Sequence, residues 1–407
     1  MTEHPITLAV KPYLGQDFYV PCYAVYIRNQ EFRRVHDVMS VTYTDSMTEI
    51  DSFDLRVNNW DPDKESAGPS KKGGVKYSDG NTLDPWQDVE LWMGYYNQGR
   101  REMRRMLVGE ITTSALSFGE SGVSSLTVRG LNLLHRFRSK QISKAFVNEK
   151  DTRIADILVG EIASDISKRV PNLTIELDGD DKATNLARET AVPYLAMHNQ
   201  YPVLFLMQRA RAIGYDLTLE EQARGEQRLV TIHFRPSHRV RRPTYELEWG
   251  KTLLQFQPTL QTAGQVSEVV VRGWDPQGKD KFEERATRAD LNGEELVHPD
   301  MLGVQESALA QRLEISTDRP VQSSAEAKEL AKKTLRQIVQ GLVEARGKTI
   351  GLPDLRAGCK VNVLGLGTRY SGTYLVTATT HTIGDGGYTT EFSCRMEARL
   401  GGAGGAA

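Results

Sequence analysis

The sequence predicts a mainly β protein with an α+β middle, in which two antiparallel, tube-like β-barrel domains flank a mixed domain. Three observations carry this expectation. From Tyr388, the residues Tyr388, Thr390, Phe392, Cys394, Met396, Ala398 and Leu400 alternate with Thr389, Glu391, Ser393, Arg395, Glu397 and Arg399. Only a β-strand sends successive side chains to opposite faces, so this period of two marks a half-buried strand. Alternation of the same kind recurs in the first third of the chain, at Phe53, Leu55 and Val57 and at Val89, Leu91, Met93 and Tyr95. Between residues 136 and 250 the spacing becomes helical, with Ile154, Ile157, Leu158, Ile162 and Ile166 on one face.

Taken in order, residues 1–135 read as a first barrel. Cys22–Ile27 is rich in strand formers, and the strand at Phe53 stops at Asn58-Asn59-Trp60-Asp61-Pro62, where Asp-Pro favours a turn. A Gly, Pro, Ser and Lys segment inside residues 62–85 has little to bury and reads as a surface loop insertion. Leu107–Ile111 and Leu126–Leu131 supply further strands. In the middle domain, Thr152 or Asp151 can cap the first helix and Pro171 follows it. A second helix runs from Pro202, a favourable first-turn residue, to Gly214, and short strands are expected at Thr174–Leu177 and Leu229–Phe234. Residues 251–400 read as the second barrel, with a charged insertion at 277–322 and a helix over about 324–346. A Ser323-x-x-Glu326 capping box opens that helix, and Ala327, Ala331, Leu335, Ile338 and Leu342 form its apolar stripe. Cys359, Val361 and Val363 form a short strand, and Gly384-Asp385-Gly386-Gly387 reverses the chain between the last two strands. The Gly/Ala segment 401–407 has nothing to pack and reads as a flexible tail.

Composition narrows the function. The 51 Lys and Arg nearly balance the 53 Asp and Glu, giving a formal charge of −2, so no global field recommends nucleic acid or an anionic membrane as the partner. Cys22, Cys359 and Cys394 are isolated and read as reduced, partly buried residues of a cytoplasmic product. The N-terminus lacks the pattern of a signal peptide, and no run of about 18 apolar residues occurs.

Motifs for catalysis are incomplete. Gly273-Trp274-Asp275-Pro276-Gln277-Gly278-Lys279 has the glycine and lysine spacing of a phosphate loop. Asp280, however, stands where a hydroxyl must hold magnesium, and Pro276 removes an amide donor. His233 and His238 lack the further ligands of a metal set, and no Gly-x-Ser-x-Gly elbow exists. No cofactor, metal or catalytic residue is therefore assigned, and the protein is not expected to be an enzyme. Two basic clusters, Arg100, Arg101, Arg104 and Arg105, and Arg235, His238, Arg239, Arg241 and Arg242, read as solvated strand edges rather than as nucleic-acid contacts, with an acidic protein interface as the intermediate alternative. At most they touch nucleic acid in transient passage. Trp60, Trp86, Trp92, Trp249 and Trp274 are expected to lie in the barrel cores, with interface anchors as the alternative.

Against these residues a family pattern stands out. The order Trp60-Asp61, Lys76-Tyr77-Ser78-Asp79-Gly80, Val89 to Gly94-Tyr95, Gly109-Glu110-Ile111-Thr112 and Leu126 to Arg129-Gly130-Leu131 resembles the phage late control D family segment by segment. Leu204-Phe205-Leu206, Ala210 and Gly214-Tyr215 fit its middle helix. The run Val271-Arg272-Gly273-Trp274-Asp275-Pro276 and the closing hairpin with His381, Gly387, Tyr388, Phe392 and Arg395 complete the likeness. With the N-terminal part of the valine-glycine repeat (VgrG) spike proteins, that family forms the baseplate hub of contractile tails and injection systems. The resemblance implies a structural role as a homotrimer, in which paired barrels present a pseudo-six-fold face to a hexameric inner tube or tube-initiator protein. It also implies a seat for a trimeric spike, here a separate protein because the needle repeats of VgrG have no counterpart after Leu400, together with contacts to other baseplate components. The implied location is the cytoplasm during assembly and then the baseplate of the particle. The alternatives are a baseplate-associated cell-wall hydrolase, which needs a carboxylate pair in a cleft, and a monomeric carbohydrate-binding module, which needs an aromatic platform.

Overall fold

Period-two stretches of this chain can bury their apolar faces only by pairing into sheets, and the computed structural model shows which strands they choose. The structure describes the chain except residues 1–6, 10–19, 34, 66–71, 79–81, 98, 120–123, 139, 168–172, 214, 225–226, 237–243, 276–277, 292–295, 298–301, 303–312, 317–320, 322 and 400–407. The first region holds β1 (Thr7–Ala9), β2 (Pro21–Ile27), β3 (Gln30–Glu31), β4 (Val38–Ser46), β5 (Ser52–Asn58), β6 (Trp60–Glu65), β7 (Lys72–Val75), β8 (Asp88–Asn97), β9 (Arg100–Phe118) and β10 (Ser124–Asn132). Its core gathers Val41, Tyr43, Phe53, Leu55, Val89, Leu91, Met93, Ile111, Leu126 and Val128. The stretch expected as a loop at 62–85 contains β6 and β7, which pair Trp60 with Val75 and Asp61 with Gly74. Pro62 is tolerated there because this ladder has only two strands and leaves an edge for a residue without an N–H.

The middle region comprises β11 (Ile142–Glu149), α1 (Asp151–Ser167), β12 (Leu173–Leu177), α2 (Gly179–Leu186), β13 (Val192–Gln200), α3 (Pro202–Ile213), β14 (Tyr215–Arg224) and β15 (Gln227–Pro236). The helical stripe of α1 (Ile154, Leu158, Ile166) and that of α3 (Val203, Leu206, Ala210) pack on Ile175, Val230, Ile232 and Phe234 of the sheet β12-β15-β14. Neither candidate cap of α1 acts as one. The Thr152 hydroxyl and amide both donate to Glu189, at 2.5 and 2.8 Å, while the Asp151 carboxylate takes Arg209.

The last region holds β16 (Thr244–Glu248), β17 (Leu253–Leu260), β18 (Glu268–Asp275), β19 (Asp280–Thr287), β20 (Leu313–Ser316), α4 (Ser324–Gln340), β21 (Val343–Ile350), β22 (Lys360–Leu364), α5 (Gly367–Tyr370), β23 (Gly372–Gly384) and β24 (Gly387–Arg399). The closing hairpin is β23 and β24, paired from Gly372 with Arg399 to Gly384 with Gly387. Residues 277–322, expected as an insertion, supply β19 and β20, which flank β18 in a separate three-stranded sheet under α4. Lys281, Glu283 and Arg285 lie on the exposed face of β19 while Ala286 turns inward to the α4 stripe of Ala327, Ala331 and Leu335. Ser323 caps α4 as expected, accepting from the Glu326 N–H at 3.3 Å. The helix stops at Gly341 rather than near residue 346, because Val343, Ala345, Gly347 and Thr349 follow with strand alternation and join β17 and β24.

The two β regions are not separate sheets. One 14-stranded sheet runs β1-β16-β22-β23-β4-β5-β10-β9-β8-β2-β3, with β24, β21 and β17 branching in turn from β23. The link is the antiparallel pairing of β23 with β4, Ala378 with Ser46 through to Ile383 with Val41. Among the described residues no helix is long and apolar enough to cross a membrane.

Gly347 offers a test of this packing. A Cβ built there would lie 2.3 Å from Phe392 Cζ, whose ring is buried, so Gly347→Ala must displace core atoms. The expected cost is about 1–3 kcal/mol in urea denaturation. Gly386→Ala, where a Cβ meets nothing within 4 Å, is expected to change stability by less than about 0.5 kcal/mol.

Candidate functional site

The strongest concentration of buried polar chemistry lies on the seam where β4 meets β23. On the shared inner face, Tyr43 sits opposite His381 and Asp45 opposite Thr379, and all four are buried. Over them folds the connection between β21 and β22, carried inward by Leu352, Leu355 and Ala357, which are buried. That connection brings Arg356 to Asp45, with Nε 2.6 Å from Oδ2. The same guanidinium donates to the Tyr43 hydroxyl and, at 3.2 Å, to the Met106 carbonyl, and it lies 4.5 Å from the centroid of the Tyr43 ring. Asp45 also accepts from the Ala357 N–H at 3.1 Å and from the Thr379 hydroxyl at 2.5 Å. Every oxygen of this carboxylate therefore has a donor, which is what a buried charge requires.

The charges are set by these contacts. Burial alone would raise the Asp45 carboxyl, but Arg356 and the Thr379 hydrogen bond outweigh it and hold the group below its ordinary range. Burial likewise opposes the Arg356 charge, yet Tyr43, Asp45 and Asp51 leave its affinity for the proton raised. His381 goes the other way: burial is the main cause that brings it down to about 4, so it is neutral. Its tautomer follows from its partners. Nε2 lies 2.9 Å from the Leu355 carbonyl, which can only accept, so Nε2 carries the hydrogen. Nδ1 then accepts from the Tyr388 and Thr390 hydroxyls at 3.0 and 3.1 Å. Tyr95 of β8 closes the set by donating to the Gly351 carbonyl at 2.9 Å, with its ring 5.4 Å from that of Tyr388.

Of the positions singled out in the sequence, the seam brings together Tyr95, His381 and Tyr388. Gly94 lies beside Tyr95 on β8, and Gly387 starts β24 with φ of +88°, the left-handed value a tight hairpin needs. Phe392 is core beside Gly347, and Arg395 lies 3.7 Å from Glu397. A second group forms where β9 and β10 run side by side. Gly109 faces Asn132 and Gly130 faces Ile111 in the ladder, and buried Glu110 accepts from Arg136 at 3.1 Å. Arg129 is exposed, 3.6 Å from Asp54. The rest stand apart. Trp60 and Asp61 open β6, Tyr215 packs on Phe234 with ring centroids 5.2 Å apart, and Arg272 pairs with Glu283 at 2.9 Å. Gly273 and Trp274 lie on β18, where Asp275 pairs with Asp280 in the ladder. Gly214 and Pro276 lie outside the described residues. Asp45, Arg356 and Thr379 were not among the expected positions. Arg356 and Asp45 are 311 residues apart, and no local spacing marks the pair.

Other candidate chemistry resolves into ordinary contacts. Arg101 pairs with Glu31 at 2.6 Å and Arg104 with Asp354 at 2.9 Å, while Arg105 lies over the Trp92 ring. In the second basic cluster Arg235 is 3.5 Å from Asp181, and 238–242 lie outside the described residues. Asp178, Asp181 and His233 form the one group of ligand-type atoms close enough for a metal among the described residues. Asp178, however, is already the cap of α2, accepting from the Asp181 N–H at 2.8 Å, and Arg235 supplies the cation beside Asp181. The tryptophans correct the sequence expectation. Trp86, Trp249 and Trp274 are 81, 60 and 55 % exposed, and Trp60 and Trp92 are half-buried, so none is core. Trp92 lies within β8 on the face opposite buried Leu91 and Met93, and Trp86 and Trp249 stand outside the strands.

A groove of about 600 Å³ crosses the outer face of β17, β21 and β24, lined by glutamines including Gln257 and Gln337 and by one carboxylate, Glu344. Its neighbour of about 340 Å³ holds Glu391, which is paired with Lys348 at 2.9 Å. Neither presents the two carboxylates that glycoside hydrolysis uses.

Comparison with known proteins agrees with the architecture. The 43 kDa tail protein of prophage MuSo2 from Shewanella oneidensis has a TM-score of 0.60 at 13 % identity, over 92 % of this chain and 98 % of that one. The tail protein from Neisseria meningitidis MC58 gives 0.59 at 13 % identity, over 93 % and 97 %. The E. coli c3393 protein is a type VI secretion component with structural similarity to T4 bacteriophage tail proteins gp27 and gp5. It gives 0.50 at 11 % identity, over 91 % and 76 %. At these identities the likeness is one of fold. No curated protein matches the sequence. A family model, the Alg8 N-terminal domain, matches residues 20–385.

Two outcomes test the seam. Arg356→Met leaves the Asp45 charge buried without its partner and is expected to cost about 3–5 kcal/mol in denaturant melts, with Asp45→Asn in the same chain recovering part of the loss. The second concerns acid. Because the His381 pKa is about 4 in the fold against an ordinary 6.5, the unfolded chain binds the extra proton first. Its contribution is complete above pH 6.5 and is lost as pH falls towards 4, by up to about 3 kcal/mol. Asp45, held low, adds a loss in the same direction at still lower pH. His381→Gln is expected to flatten the melting-temperature profile between pH 6.5 and 4.

Proposed function

The chain belongs to the Alg8 N-terminal domain family, and from its fold, not from that match, we propose that it is a structural component of the baseplate of a contractile tail or injection system. More finely, it acts as a late control D-type hub: a homotrimer that joins a separate trimeric spike protein to the hexameric inner tube and contacts other baseplate proteins. The observation that carries this reading is a shared fold over nearly the whole chain with two bacterial tail proteins. The seam supports it physically. A buried ion pair and its hydrogen bonds join the two β regions in one sheet, as a part under load between a tube and a spike requires. The role is mechanical, with the protein seating the tube, holding the spike and releasing it on contraction. Its place is the baseplate of the assembled particle.

The test is the mass of the full chain in solution across a concentration series, alone and with the spike protein of the same particle. A species of three times 45.6 kDa in either mixture is the expected result. A persistent monomer in both counts against the trimeric hub.

A further inference from the structure

Helix α4 belongs to the last region of the chain but reaches the middle one. The Gln337 side chain donates to the Arg211 carbonyl near the end of α3 at 3.4 Å, and the Arg211 guanidinium donates to the Thr48 carbonyl just after β4. Lys333, Arg336 and Gln337 stand at i, i+3 and i+4, so they share the flank of α4 that meets α3. Arg209 of α3 lies close enough to act on the Lys333 charge. Cations therefore face cations across this junction.

The carboxylates nearby do not balance them. Both oxygens of Asp151 accept from the Arg209 guanidinium, one of them at 3.0 Å. Glu329, one turn before Lys333, is largely exposed and lies 3.9 Å from Lys332 instead. Lys333 itself is half-buried and, among the described residues, makes no hydrogen bond and no ion pair. Burial, Arg209 and Arg336 press its ammonium below the ordinary lysine range, with Asp151 and Glu329 opposing them. The other flank of α4 differs, because Lys328 and Lys332 have the Asp290 carboxylate near them.

An ammonium withdrawn from water needs acceptors and a counter-charge, and the described chain supplies neither at short range. We propose that the junction of α3 and α4 binds a phosphate-class oxyanion, with Lys333 and Arg336 as its donors and Arg209, held in place by Asp151, as a third positive charge. A tetrahedral dianion presents acceptors in several directions, so it can take a lysine as a point charge and an arginine fork together. Lys333 is set back from the surface, which suits a small free ion better than the carboxylate of a docked protein. The ion ties α4 of the last region to α3 of the middle one. A single copy of the chain suffices for this site, so it stands apart from the assembly reading above.

The experiment follows the melting temperature of the full chain at pH 7 against sodium phosphate, with sodium chloride at matched ionic strength as the reference. The wild type is expected to show a saturable rise of about 2 °C or more over chloride. Lys333→Met keeps the apolar stem without the charge. It is expected to melt no lower than the wild type in chloride and to lose the phosphate rise. Lys333→Arg, and Lys328→Met on the other flank, are expected to keep that rise. Calorimetric titration of phosphate into Arg336→Gln is expected to show affinity weakened by at least about tenfold. A wild-type rise no larger than that in chloride, or an undiminished rise in Lys333→Met, overturns the site. So does a Lys333→Met chain that melts well below the wild type in chloride, since Lys333 would then be stabilising without an anion.

Discussion

The architecture depends on a single buried charge pair. Asp45 and Arg356 meet where β4 of the first region lies beside β23 of the last, and the Arg356 guanidinium reaches on to the Met106 carbonyl of β9. Burying two charges costs several kcal/mol per ion, and that cost is offset here only because hydroxyl and amide donors complete the shell of Asp45. Such an arrangement tolerates little displacement. A sideways slip of β23 on β4 by one residue would turn Thr379 and His381 away from Asp45 and Tyr43 and strand the carboxylate in apolar surroundings. The pair therefore fixes the register between the two β regions, which hydrophobic packing alone specifies less sharply.

His381 extends the same lock to the closing hairpin. Its neutral ring donates to the Leu355 carbonyl and accepts from the hydroxyls of Tyr388 and Thr390, so the connection over the seam, β23 and β24 are held by one side chain. Tyr95 adds β8 by bonding Gly351. The β21–β22 connection, β23 and β24 thus meet β4 and β8, and the side chains of Tyr43, Asp45, Tyr95, His381, Tyr388 and Thr390 are all buried there.

What could be read from the sequence follows the range of the interaction. Strands β5, β8, β10, β22, β23 and β24 and helices α1 and α3 carry their own periodicity, which is local and visible. The Ser323 cap was visible for the same reason. The far end of α4 is hard to read because Leu342 continues the helical stripe, while the decisive signals are the Gly341 cap and an alternation after Val343 that belongs to a strand whose partners lie elsewhere. Strand β19 was hidden because its exposed face is densely charged, which in isolation resembles a loop. The family pattern drew attention to Tyr95, His381 and Tyr388, which do meet. Asp45, Thr379 and Arg356 were beyond reach, since their pairing is created by the β4–β23 register and leaves no trace in local spacing. The tryptophans are not legible because size does not tell which face of a strand a residue takes: Trp92 lies on the outer face of β8 beside inward Leu91 and Met93.

The seam also sets how the ends of the sheet stand to one another. Among the described residues, β9 beyond Glu110 pairs with β10 alone and β17 pairs with β21 alone, at opposite ends of eight antiparallel strands whose order runs through the β4–β23 junction. A register fixed at that junction fixes the strands on its two sides as well, so a slip between β4 and β23 would displace the strands on one side of it relative to those on the other.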